Sequence, residues 1–382
     1  VHVAPFSIRL DDQTLSDLRS RIGATRWPDA APGVAWSQGT DLAYLRDLLA
    51  YWANGFDWRE QERRLNGFHQ FRAEIDGVRL HFVHERARRG EGIPLILTHG
   101  WPSTFAEYLP LVPLLTDPQE YGIGGPAFDV VIASLPGYGF SERPTRTGVT
   151  SRYIARLWHA LMRGLGYEKY GAQGGDFGAG VTTYMALDDP AAMLGIHLST
   201  PEVPPYTGPD ARPLSAHESE YVAQNDRWAA AERGYSAIQS TKPQTLGYAL
   251  NDSPAGLAAW IVEKWRSWTD SHGDPDAHLS REFLLTTITL YWATQTVTPS
   301  MRDYYDNRWF AVPIGPGDHV VVPTAVAMFG NHFIDEGIPP REWFERLYNV
   351  RQWTPMPSGG HFAAVEEPEL LARDIASFFA AL

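Results

Sequence analysis

The chain contains no cysteine. Disulfides, thiolate metal sites and a cysteine nucleophile are therefore excluded. Lysine is scarce too: among 32 basic residues only Lys169, Lys242 and Lys264 are not arginine. Arginine-heavy usage fits a GC-rich bacterial genome. These cations form no run, and 45 acidic residues bring the formal net charge to −13. Such a balance disfavours the phosphates of nucleic acids and of anionic membranes. No window approaches about 18 uninterrupted apolar residues, so no membrane span is expected. The opening VHVAPFSIRL lacks the charged and apolar regions of a signal peptide, so a cytoplasmic location is expected. It also lacks an initiator methionine, which leaves room for a removed leader. Finally, no Gly-x-Ser-x-Gly occurs anywhere, so a serine-bearing elbow is excluded.

What is present is a long and aromatic-rich chain. Its 382 residues exceed the size at which one core usually keeps growing, so one large domain with insertions, or two domains, is expected. Hydrophobic residues at 44% and charged residues at 20% mark a soluble globular protein. The 14 Trp, 17 Tyr and 17 Phe are enough to line an apolar pocket, although most aromatics are plain core.

Residues 1–70 read as helical with loops. Asp11 and Asp12 open a helix in which Leu15, Leu18 and Ile22 recur at helical spacing. Further helices are expected near Leu42–Trp52 and Trp58–Leu65. The period then changes to two, and Asp76-Gly77 splits Gln70–Ile75 from Val78–His84 as a hairpin turn would. Short apolar runs at 94–98, 129–134, 170–173 and 196–199 read as buried parallel strands alternating with helices. The alternation stops near Pro201. Residues 214–310 are helix-like, and the strand pattern resumes at Val320–Met328. We therefore expect an α/β fold with a mostly parallel sheet, divided as an N-terminal extension (1–75), a first core part (76–205), a helical lid (206–315) and a second core part (316–382).

The chemistry is concentrated in three stretches. In GGDFG, Gly174, Gly175 and Gly178 flank Asp176. A sharp strand-to-helix turn needs residues without side-chain bulk around its tip. A carboxylate at that tip suits attack on an sp³ carbon and leaves an ester for water to hydrolyse. The plainer role of Asp176 is a helix N-cap. In THGWP, His99, Gly100, Trp101 and Pro102 follow a strand directly. The N–H of Trp101 and that of Phe177 are candidate oxyanion donors. In SGGHF, glycines release His361 ahead of a terminal helix. A carboxylate that orients His361 is sought after Val320–Met328, where Asp335 and Glu336 both qualify.

These stretches, with SLPGYGFSERP, GYSAIQSTKPQTLGYALNDSPAGLAAWIVEKW and GGHFAAVEEPELLARDI, resemble the epoxide hydrolases of the microsomal type in sequence and in order. The likeness extends over nearly the whole chain and includes the N-terminal epoxide hydrolase domain in PFSIRLDDQTLSDLRSRIGATRWPD. It implies an α/β-hydrolase fold, a lid, and hydrolysis of a small-molecule epoxide to a vicinal diol without cofactor or metal. It implies that Tyr235 and Tyr304 hold the epoxide oxygen, with Tyr305 adjacent to the second. The family's usual acid position, three residues after Phe329, is His332 here; the acid is expected at Glu336, with Asp335 as alternate. The likeness and the arginine usage together suggest an actinobacterial biosynthetic enzyme acting on an enediyne antibiotic core. An aryl or polycyclic epoxide would suit an aromatic cleft. A haloalkane dehalogenase, or a hydrolase fold kept for binding, are the alternatives. Oligomeric state is not legible.

Overall fold

The structure is a computed structural model that describes every residue except 201–202 and 331–334. His332 and the first residues of the proline-rich exit loop thus lie outside the described residues.

Among the described residues nine strands form one sheet: β1 (Val3–Phe6), β2 (Gln70–Ile75), β3 (Val78–Glu85), β4 (Ile93–Thr98), β5 (Phe128–Ala133), β6 (Tyr170–Gly175), β7 (Met193–Thr200), β8 (Val320–Phe329) and β9 (Tyr348–Met356). Their spatial order is β1-β2-β3-β5-β4-β6-β7-β8-β9. The first three pairs are antiparallel and the remaining five parallel. Every residue of β5 and of β6 is buried, which explains their mainly apolar or small-residue character. In the β2–β3 turn both Asp76 (φ 52°) and Gly77 (φ 73°) are left-handed, as a two-residue hairpin loop of this kind requires.

The expectation of a purely helical start is corrected by β1. Val3–Phe6 pairs with Gln70–Ala73 and closes the sheet edge. Four residues containing Pro5 carry little alternation, and proline, lacking an N–H, is readily accommodated at such an edge. The sheet therefore runs through the expected segment boundary at residue 75.

Helices α1 (Asp12–Gly23), α2 (Leu42–Asn54) and α3 (Trp58–Leu65) follow β1. Each starts at an aspartate, Asp11, Asp41 or Asp57, whose carboxylate accepts a first-turn N–H. Core helices α4 (Leu111–Thr116), α5 (Ser151–Gly164) and α6 (Phe177–Asp188) alternate with strands. Between β7 and β8 lie α7 (Ala216–Glu232), α8 (Gly234–Gln239), α9 (Pro243–Asp252), α10 (Pro254–Trp268), α11 (Arg281–Ala293) and α12 (Val297–Trp309). The chain ends with α13 (Arg341–Phe344), α14 (Ala363–Glu366) and α15 (Pro368–Ala380).

The lid is anchored on both sides. Trp52 of α2 donates its indole N–H to Thr289 Oγ1 of α11 at 3.0 Å in a buried contact. Leu257, Ile261, Val262 and Trp265 of α10 recur at helical spacing and are buried. Trp265 lies flat on Phe362, with ring centroids 3.6 Å apart, and donates to the Pro102 carbonyl at 3.2 Å. Lid, N-terminal helices and core thus meet around the histidine loop. Among the described residues no helix is long and apolar enough to cross a membrane.

Candidate active site

The elbow sits between the end of β6 and the start of α6. Asp176 adopts φ 55° and ψ −129°, a conformation that costs a non-glycine residue about 1–3 kcal/mol. Its surroundings hold it there. The Asp176 N–H donates to both the carbonyl and the hydroxyl of Thr200, each at 3.0 Å. A Cβ on Gly174 would collide with the Gly178 carbonyl, and one on Gly178 with the Thr98 carbonyl. A Cβ on Gly175 would stand 2.5 Å from Thr200 Oγ1. The glycines are needed for close approach, as the motif implied.

The Asp176 carboxylate is only 6% exposed. Its Oδ1 accepts from the N–H of Trp101 at 2.9 Å and from that of Phe177 at 2.7 Å. The turn after β4 delivers the first of these. His99 is fully buried, and its Nε2 accepts from the Leu135 N–H at 3.3 Å. Its Nδ1 therefore carries the proton and donates to the Gly100 carbonyl at 3.1 Å. Burial lowers the His99 pKa to about 4, so the ring stays neutral. Gly100 lies against the nucleophile itself: a Cβ there would strike the Asp176 carboxylate. The Trp101–Pro102 peptide is cis.

His361 approaches from the other side. Its Nε2 is 3.6 Å from Asp176 Oδ2, longer than a direct hydrogen bond. Tyr235 and Tyr304 come from different lid helices and meet here. The Tyr235 ring stacks on Trp101 at 5.5 Å, and Tyr304 stands edge-on to Phe177 at 4.8 Å and to Trp101 at 5.7 Å. The two tyrosine rings are 5.9 Å apart. Tyr305 instead packs with Trp309 and Phe310. Of the two acids, Asp335 is exposed and Glu336 is 9% exposed. Glu336 Oε1 accepts from Asn225 at 3.1 Å and from Arg233 at 3.3 Å, both on the lid side.

Burial governs the electrostatics. It raises the Asp176 pKa to about 6 against the opposing pull of the Trp101 and Phe177 N–H groups, and the Glu336 charge raises it further. Burial also raises Glu107 to about 8 and Glu366 to about 7. Glu107 is 6% exposed and feels the charges of Asp176 and Glu366. A cavity of about 210 Å³ adjoins Asp176 and is lined also by Phe177, Tyr184 and Val203.

Sequence reasoning missed four participants. Thr200 holds the elbow from the neighbouring strand. Trp268 accepts the His361 N–H on its carbonyl at 2.7 Å and packs its ring 4.9 Å from the imidazole. Glu107 is a buried acid and Glu366 a half-buried one in the vicinity. The one available signal was Glu366, five residues after His361 in GGHFAAVEE.

A mixed sheet of this order, with a carboxylate elbow after β6 and a histidine loop after its last strand, defines an α/β-hydrolase. Comparison with known proteins refines the class. The family model "Epoxide hydrolase N terminus" matches residues 3–108, and "alpha/beta hydrolase fold" matches 93–295. A protein of Stigmatella aurantiaca named for epoxide hydrolase activity is 43% identical over 99% of this chain and 84% of its own. Epoxide hydrolase 1 of Sus scrofa is 36% identical over 100% of this chain and 89% of its own. The solved epoxide hydrolase of Aspergillus niger superposes with a TM-score of 0.84 at 30% identity, covering 99% of this chain and 96% of that one. The chain belongs to the microsomal-type epoxide hydrolases, and its reaction is epoxide hydrolysis.

Proposed function

We propose that the enzyme opens its epoxide by covalent catalysis on Asp176. The observation that carries this is the division of labour between the two carboxylate oxygens. Oδ1 holds both backbone N–H bonds, while Oδ2 faces His361. Oδ2 attacks a ring carbon, the C–O ring bond breaks, and the alkoxide takes a proton from Tyr235 or Tyr304. A hydroxyalkyl ester results, with Oδ1 as its carbonyl oxygen. His361 removes a proton from water as that water attacks Cγ. The oxyanion forms on Oδ1, already between the N–H groups of Trp101 and Phe177. Collapse breaks the Cγ–Oδ2 bond, the leaving alkoxide takes the proton from His361, and the diol departs. The carboxyl proton left on Asp176 passes through solvent to restore the tyrosine. No step needs a metal or cofactor.

We assign Glu336 as the acid that orients His361. Its burial and its field at Asp176 support it over the exposed Asp335. The substrate is an aryl epoxide: Trp101, Tyr235, Trp268 and Tyr304 form a cluster of stacked and edge-on rings beside the nucleophile. Action on an enediyne core in antibiotic biosynthesis, in a bacterial cytoplasm, rests on the sequence alone.

A single turnover of styrene oxide in ¹⁸O-water tests the mechanism. The first diol should be unlabelled and the label should appear in the Asp176 peptide. Full label in the first diol refutes the ester. His361→Gln should accumulate the adduct, visible as added mass on the intact protein.

A further inference from the structure

The loop that carries His361 is held by acids the reaction scheme does not use. Four successive backbone N–H groups are captured there. Gly359 donates to Asp270 Oδ2 at 3.1 Å and Gly360 to Glu366 Oε2 at 3.1 Å. His361 donates to the Trp268 carbonyl at 2.7 Å and Phe362 to Glu366 Oε1 at 2.9 Å. Glu366 Oε2 also accepts the Asp270 N–H at 2.8 Å, so the two acids are joined. Trp268 ends lid helix α10, and Asp270 lies just beyond it. Gly359 is left-handed at φ 95°, and a Cβ on Gly360 would stand 2.5 Å from the Trp268 carbonyl. The loop is thus fitted tightly to one lid helix and two carboxylates.

We propose that Glu366, together with Asp270, is a positioning pair that fixes His361 for hydrolysis of the ester and couples its placement to the lid. This rests on the roles given above to Asp176 and His361. Glu366 grips the N–H groups on either side of His361, so the imidazole inherits its place from that carboxylate. Bonds from backbone N–H to a carboxylate are short and strong for their kind. Asp270 is 7% exposed and Glu366 is half-buried beneath the loop it holds, and neither needs to touch substrate. Epoxide opening uses Asp176 and the tyrosines; only the second half needs a well-placed base. A defect in this pair should therefore fall on one half of the cycle.

The test is rapid-quench single turnover of styrene oxide by the wild-type enzyme, Glu366→Gln and Asp270→Asn, following the adduct by intact mass. Glu366→Gln replaces an acceptor by an amide NH₂ that opposes the loop N–H groups. Ester formation should stay within about twofold, while ester hydrolysis slows about tenfold or more in Glu366→Gln, as loss of near-attack placement predicts. Asp270→Asn should slow the same step by a smaller factor, and it carries the test if Glu366→Gln does not fold. In the steady state kcat and KM should fall together with kcat/KM retained. Unchanged ester hydrolysis in folded variants, or equal slowing of both halves, overturns the proposal. Absence of an adduct from both the wild type and His361→Gln overturns the Asp176 reading instead, and the positioning role with it.

Discussion

The raised pKa of Asp176 gives the most exacting prediction. Alkylation needs the carboxylate, because a protonated acid has no lone pair of sufficient basicity to open the ring. An ordinary aspartate, with pKa 3.8, would be almost fully ionised at about pH 5. Here burial lifts the value to about 6. Roughly 9% of the enzyme is then ionised at about pH 5 and roughly 91% at about pH 7. Ester formation under single-turnover conditions should slow about tenfold between those two values. Stopped-flow tryptophan fluorescence should report it, since Trp101 stacks on Tyr235 beside the nucleophile. Acid-quenched intact mass measures the adduct directly, with uncatalysed opening subtracted. Glu336→Gln adds a control of sign. Its charge raises the Asp176 pKa, so neutralising it should move the midpoint to lower pH even as ester hydrolysis suffers. A rate of ester formation flat from pH 5 to pH 7, or a midpoint raised by Glu336→Gln, would refute the reasoning.

Other consequences can be checked with single variants. Glu107 is held protonated by burial, its pKa raised from 4.5 to about 8, so the unfolded chain releases its proton first as pH rises. Folding stability should therefore fall between those values by up to about 5 kcal/mol; Glu107→Gln should match the wild type near pH 5 and exceed it near pH 8 in urea melts, and parallel curves would exclude this. Tyr235→Phe and Tyr304→Phe should each slow ester formation, by up to about a hundredfold, and leave hydrolysis of the preformed ester unaltered. Gly100→Ala should abolish adduct formation in mass spectra, because the added methyl strikes the Asp176 carboxylate.

The chemistry was easier to read in the sequence than the scaffold that directs it. Gly174, Gly175 and Gly178 announce a crowded turn because only a missing side chain admits such approach. His361 stands out because glycines precede it and a helix follows. The helix starts at Asp11, Asp41 and Asp57 were readable for local reasons, since a cap is made within a few residues. The missed features are all non-local. Thr200 serves the elbow from the adjacent strand, and Trp268 reaches His361 across 93 residues of chain, by a carbonyl that carries no side-chain signature. Glu107 carries no signal because sequence records charge but not burial. Glu336 and Asp335 are neighbours of the same type, and only folding makes one buried and the other exposed.

The four residues of β1 have a significance out of proportion to their length. They cap the hydrogen-bonding edge of β2, where Arg72 lies with its guanidinium 4.0 Å over the Phe6 ring. A chain shortened to begin at the hairpin would bare the backbone ladder of four β2 residues, Gln70–Ala73. Two such molecules could zip together along that seam and precipitate. Colloidal behaviour of the enzyme is thus guarded by a segment that never meets the substrate.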